Sequence, residues 1–275
     1  MRNQRLNQIA LAGIITALLA SSALAQAPAS PHTLTGNATL ASDYRFRGIS
    51  QTFKQPAFQG GFDYAHSSGF YLGNWNSNVS GLAFPNGAGL EMDFYGGYKR
   101  AFGDFGIDLG LLHYFYPATR VVISGVGDRK LDNTEVYFGG NWKFLTGKVY
   151  YSTTNYFGLD GVLAQNFYSN KTTSAALPAR GGSRGTIYYD LAASYEIAPK
   201  LTLGAHVGRL DVKNYNELDY TDYKLGLTYD LSGWLLGANA VSTNAKKDWY
   251  YTKDGGNKVK NTGTTGLVLS IGKTF

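Results

Sequence analysis

From Leu90 to Lys99 the chain reads L-E-M-D-F-Y-G-G-Y-K. Leu90, Met92, Phe94, Gly96 and Tyr98 alternate with Glu91, Asp93, Tyr95, Gly97 and Lys99. A period of two marks a strand whose two faces meet different surroundings. A dry core cannot accept three ionised groups on one face, so that face must meet water or paired charge. The same division recurs along the chain. Ile107, Leu109 and Leu111 oppose Asp108; Val136, Phe138 and Trp142 oppose Glu135. Tyr189, Leu191 and Tyr195 oppose Asp190, and Leu225 and Leu227 oppose Lys224. The fold must therefore present one wide apolar surface and one wide charged surface.

Strands are expected over Thr33–Arg47, Ala57–Ala65, Phe70–Ser77, Leu90–Lys99, Phe105–Tyr116 and Asp132–Trp142. Six more are expected over Gly147–Phe157, Thr186–Tyr195, Leu201–Arg209, Asp222–Tyr229, Trp234–Thr243 and Thr264–Phe275. Short and long connections alternate between them, and no helical period or repeat interrupts them. An even number of strands joined in this way matches a transmembrane antiparallel β-barrel with short periplasmic turns and longer extracellular loops. A soluble barrel would need its apolar face inside, and about twelve strands enclose more space than side chains fill. The expected fold is therefore an all-β transmembrane barrel of about 12 strands. Its charges face water inside, and its Leu, Phe, Tyr and Trp face lipid outside. A β-sandwich is the alternative.

The N-terminus has a different character. Arg2 and Arg5 precede an apolar run from Ile9 to Ala20, and Ala23-Leu24-Ala25 supplies a small-x-small cleavage pattern. This predicts a signal peptide over 1–25 and a barrel domain over 26–275, with formal net charge falling from +6 to +4 on cleavage. The run is shorter than the ~20 residues of a spanning helix, and Ala25 is not followed by cysteine. The chain has no cysteine at all, which excludes disulfides and thiolate chemistry.

The last twelve residues read T-T-G-L-V-L-S-I-G-K-T-F. Leu267, Leu269, Ile271 and Phe275 share one face. The stretch resembles the C-terminal strand of bacterial outer-membrane barrels, in which a terminal Phe and alternating apolar residues are read by the assembly machinery. Lys273 departs from that pattern. A second resemblance rests on D-Y-R-F-R-G-I-S-Q-T from Asp43, P-A-F-Q-G-G-F-D-Y-A-H from Pro56 and S-G-F-Y-L-G-N-W-N-S-N-V from Ser68. With E-M-D-F-Y-G-G-Y at Glu91–Tyr98 and the terminal L-S-I-G-K-T-F, the chain resembles the TorF family of porins. The resemblance implies an outer-membrane channel of a Gram-negative bacterium and carries over no catalytic residue and no cofactor.

Asp43, Arg45 and Arg47 fall at i, i+2 and i+4 on the first expected strand, near its extracellular end. They read either as a charged lip that screens solutes or as partners for Glu91, Asp93 or Glu135 on facing strands. With Asp108 and Asp190 these eight residues are the candidate lumen and selectivity groups. The loops carry Lys54, Arg120, Arg129, Lys130, Lys171, Arg180, Arg184, Lys246 and Lys247. Their basic character suits anionic lipopolysaccharide or an anion funnel, and their scatter does not suit nucleic acid. The expected partners are outer-membrane lipid and lipopolysaccharide, the barrel assembly machinery and small hydrophilic solutes. A metal site is not expected, because no His, Asp and Glu spacing resembles one. Two other readings remain, a lipase-like barrel enzyme and a purely structural barrel. The first would need a serine beside His113, and the sequence places none there.

Overall fold

The computed structural model describes residues 30–81, 88–117, 119–123, 126–253 and 259–275. The expected signal peptide lies outside the described residues.

Twelve strands close into one antiparallel barrel. They are β1 (His32–Ala41), β2 (Ala57–His66), β3 (Phe70–Asn78), β4 (Leu90–Phe102), β5 (Phe105–Phe115) and β6 (Asn133–Trp142). The ring continues with β7 (Leu145–Ser152), β8 (Ile187–Ala198), β9 (Leu201–Asp211), β10 (Tyr220–Leu231), β11 (Trp234–Thr243) and β12 (Gly266–Thr274). Each strand pairs with its neighbours in sequence, and β12 returns to β1. The turns after β2, β4, β6, β8 and β10 are two or three residues long. Ser232 and Gly233 after β10 both take positive φ, 54° and 91°, as a type I′ turn requires. All the long connections emerge at the opposite end.

The outward face is apolar. Phe62, Phe94, Leu109, Phe138, Leu191 and Leu225 all stand exposed on it. In a bilayer this band meets lipid, and closure leaves no strand edge unpaired there. Rings cluster at the short-turn end: Phe70 with Tyr98, Phe105 with Trp142, Phe144 with Tyr195. Such aromatic girdles mark a membrane boundary.

Several expectations are corrected. The first strand stops at Ala41, and Asp43, Arg45 and Arg47 lie beyond it. The seventh ends at Ser152, because the chain turns into a short 3-10 segment at Tyr156–Gly158. A seven-residue helix, α1 (Gly161–Phe167), interrupts the long connection after β7, with Asp160 accepting from the Leu163 amide at its start. Tyrosine and tryptophan do not all face lipid. Trp75, Tyr114, Tyr137, Tyr150 and Tyr188 are buried, on the alternate faces that carry Asp93, Glu135, Lys148 and Asp190. On β3 this leaves Asn74 and Asn76 outward, where their amides bond each other and the carbonyls of Asp93 and Gly60.

With charge and tyrosine inside the wall, the chain's apolar clusters gather at its long-loop end. Leu159, Ala164, Leu177, Leu210, Tyr215 and Leu218 pack there with Tyr137, Tyr150 and Tyr188 below them. Val121, Ile123, Leu131 and Leu163 form a second cluster with Tyr114 and Tyr116. The long connections thus build a lid with a core of its own.

Candidate functional site

The connection between β1 and β2 folds into the bore. Arg45–Phe46 pairs with Ile49–Ser50, and Arg47 and Gly48 form the two-residue tip with φ of 46° and 80°. This is the same type I′ geometry as the short turn after β10. A Cβ on Gly48 would lie 2.8 Å from the Asp222 Cβ and closer still to Thr243. The tip therefore rests against β10 and β11, while both ends of the segment are tethered to β1 and β2.

Arg47 reaches β6. Its guanidinium donates to both Glu135 oxygens, at 3.0 and 2.7 Å, and to the Tyr156 hydroxyl at 3.2 Å. The rings of Tyr188, Phe46, Tyr150 and Tyr156 surround it, with centroids at 4.1, 4.9, 5.4 and 5.8 Å. Both partners are almost fully enclosed, with side-chain exposure of 5% and 1%. Removing one member of such a pair strands the other and costs about 3–5 kcal/mol.

The hairpin is pinned at other points. Asp43 accepts from Arg45 Nε at 2.5 Å, Ser50 Oγ at 2.6 Å and Thr52 Oγ1 at 2.9 Å. Arg45 Nη1 donates to the carbonyls of Gly48, Thr262 and Thr264, which ties the hairpin to the connection before β12. Tyr44 and Tyr116 donate to the two oxygens of Glu91 at 2.6 and 2.7 Å. Asp93 Oδ1 is buried and has no hydrogen-bond partner among the described residues.

Two further clusters line the wall. Asp108 accepts from Lys148 and from the Tyr71 hydroxyl, both at 2.5 Å, and Tyr71 also meets Tyr137. His206 lies between Asp190 at 3.1 Å and Asp222 at 3.4 Å. The eight candidate residues thus separate into three groups. Arg47 and Glu135 form the one pair that the sequence had foreshadowed across strands, whereas Arg45 turns back to Asp43. Sequence reasoning missed the tyrosines that cage Arg47 and cap Glu91. For those on strands the signal was the alternation itself: Tyr150 shares a face with Lys148, and Tyr188 with Asp190.

Leu267, Leu269, Ile271 and Phe275 project outward. Phe275 exchanges two backbone hydrogen bonds with Gly36, at 2.7 and 2.9 Å, and covers it so closely that a Cβ there would lie 2.7 Å from the ring. Lys273 sets its ammonium 5.1 Å from the centre of the Trp234 ring, so its position at the boundary is that of a snorkelling cation. His113 bonds Thr134 Oγ1 at 2.9 Å on the outer face. Several loop cations are already paired: Arg120 with Asp128, Arg129 with Asp160, Arg180 with Glu217. Among the described residues no group of three or more His, Asp or Glu side chains is placed to hold a metal ion.

A closed antiparallel barrel, apolar outside and charged inside, with a segment of its own chain across the bore, has a porin-like fold. Residues 25–275 match the family described as bacterial protein of unknown function (Gcw_chp), and the chain belongs to that family. No curated protein matches it. Among solved structures it is similar to the KdgM porin, with TM-score 0.50 and 10% identity over 88% of this chain and 99% of that one. It is also similar to the NanC porin (TM-score 0.46, 11% identity, 88% and 99% covered). A third is OmpF of Salmonella typhi (TM-score 0.41, 9% identity, 89% and 97% covered). At these identities the likeness concerns the fold alone.

Proposed function

We propose that this protein is an outer-membrane channel, exported through its signal peptide, that admits small hydrophilic solutes by passive diffusion. The observation that carries the reading is the hairpin at 45–50, which crosses the bore of a closed barrel and is held there by Arg47 on Glu135. Charged clusters inside an apolar cylinder are stable where water reaches them or partners satisfy them. Twelve strands make a bore narrower than that of the 16–18-stranded porins, so fixed charge lies close to any passing solute, and low-dielectric walls strengthen its field. The motif resemblance to TorF porins supports the same reading. Lys171, Arg184, Lys246 and Lys247 are the loop cations proposed to face lipopolysaccharide. The outward row ending at Phe275 is the proposed signal to the assembly machinery.

The test is conductance and reversal potential in planar bilayers under a salt gradient. Wild type is expected to conduct. Neutralising Arg45 and Arg47 shifts the reversal potential toward cations, and also raises conductance, because it frees the hairpin. Neutralising Glu91, Asp93 and Glu135 shifts it toward anions. A conducting wild type whose potential neither set moves would make these residues braces. Silence from wild type and from the hairpin variants alike would leave a structural barrel.

A further inference from the structure

Apart from Phe46 of its own hairpin, the groups that hold the Arg47 guanidinium belong to the wall or to the lid. Glu135 is on β6, Tyr150 on β7 and Tyr188 on β8, and Tyr156 opens the 3-10 segment in the long connection after β7. A carboxylate offering both oxygens, flanked by aromatic faces, matches a planar cation that forks two hydrogen bonds and stacks. The carboxylate is held independently of Arg47. Asn133 Nδ2 and Ser152 Oγ each donate to its Oε1 at 3.3 Å, and Tyr114 donates to its Oε2 at 3.3 Å. The present occupant, by contrast, sits at a left-handed tip with φ of 46°, a conformation that side-chain-bearing residues take at a cost.

We infer that this pocket is a recognition site for guanidinium-bearing solutes, and that Arg47 is its resident occupant, which such a solute displaces to free the tip of the hairpin from β6 and loosen it in the bore. The opening consequence rests on the channel reading; the binding does not. A tethered competitor acts at an effective concentration in the millimolar range. A free solute therefore binds wild type weakly, and a chain lacking the Arg47 side chain at least about tenfold more tightly.

The experiment titrates methylguanidinium chloride into refolded wild type, Arg47→Gly and Arg47→Gly/Glu135→Gln by calorimetry. Glycine suits the positive φ at the tip, and heat-dependent gel mobility shows that each barrel is closed. Saturable binding by Arg47→Gly is expected, at least about tenfold tighter than by wild type and tighter than that of methylammonium. The double variant loses it. Arg47→Gly binding no tighter than the double variant, or methylammonium binding equally well, overturns the inference. Should Arg47→Gly fail to close, a single cysteine at Ile49, a partly buried hairpin residue whose side chain makes no hydrogen bond, serves in its place, because the chain has no other thiol. Methylguanidinium is expected to speed maleimide labelling of Ile49→Cys in an otherwise wild-type chain, and an unchanged rate overturns the inference. Binding without conductance in any variant keeps the site and sinks the channel; conductance without binding does the reverse.

Discussion

At the scale of single residues, the loops are joined by charge that no local pattern reveals. Arg180 donates to both oxygens of Glu217, at 2.6 and 2.7 Å, and so links the connection after β7 to that after β9. The Arg180 hydrogen bond is the main reason that the Glu217 carboxyl lies below its usual range. Because the folded value is the lower one, stabilisation from the pair is present above about pH 4.3 and is lost as pH falls through the depressed value. The pair is partly open to solvent, so the effect is modest. Amide exchange over residues 159–181 and 212–219, corrected for intrinsic rate, is expected to quicken as pH falls through the depressed Glu217 value while the strands stay protected. Glu217→Gln is expected to remove that dependence, and an unchanged pH profile in this variant would separate the pair from the lid. In the sequence, the connection from Gly158 to Gly185 holds Arg180 and Arg184 with no acid after Asp160. Partners supplied from other loops, 37 residues away in this case, lie beyond any spacing argument.

At the scale of elements, the seam between β1 and β12 has the shortest ladder of the ring. Its ladder runs only from Asn37 opposite Thr274 to Ala41 opposite Ser270, and the Phe275–Gly36 bonds extend it by one step. Deleting Phe275 is therefore expected to lower the amount of assembled barrel several-fold, and Phe275→Ala to lower it less. Lys273→Ala, which loses a cation over Trp234 and no ladder bond, is expected to have the smallest effect. Quantitative blots of the outer-membrane fraction would show the order, and equal levels for all three variants would dissociate the terminal row from assembly. The strands themselves were legible, because alternation over eight or more residues is a strong signal and the short turns fell between alternating runs. The hairpin was not. Ser42, Tyr44 and Phe46 continue to alternate with Asp43, Arg45 and Arg47, so the pattern gives no sign that the chain has left the wall after Ala41. Only the Arg47-Gly48 dipeptide, a tight-turn pair, marks the departure. Helix α1 escaped notice for a different reason: seven residues are two turns, too few for a helical period to show.

At the scale of the whole molecule, closure removes every free edge from which unravelling could start. Unheated samples in SDS are therefore expected to migrate apart from boiled ones, and identical migration together with recovery from the soluble periplasmic fraction would contradict a membrane barrel. The lid has no such autonomy. Leu159 and Leu177 come from one connection, Tyr215 and Leu218 from a second, and Ala245 from a third. Only the finished ring brings the stems of these connections within reach of one another, which spares the lid most of the entropy of closing long loops. On this argument the lid forms after the ring closes, and the mouth of a newly closed ring is uncovered. Wall and lid also answer to different substitutions. Leu159, Leu177 and Leu218 lie in the connections, so changing them alters how the mouth is covered and leaves the outward band and the seam untouched.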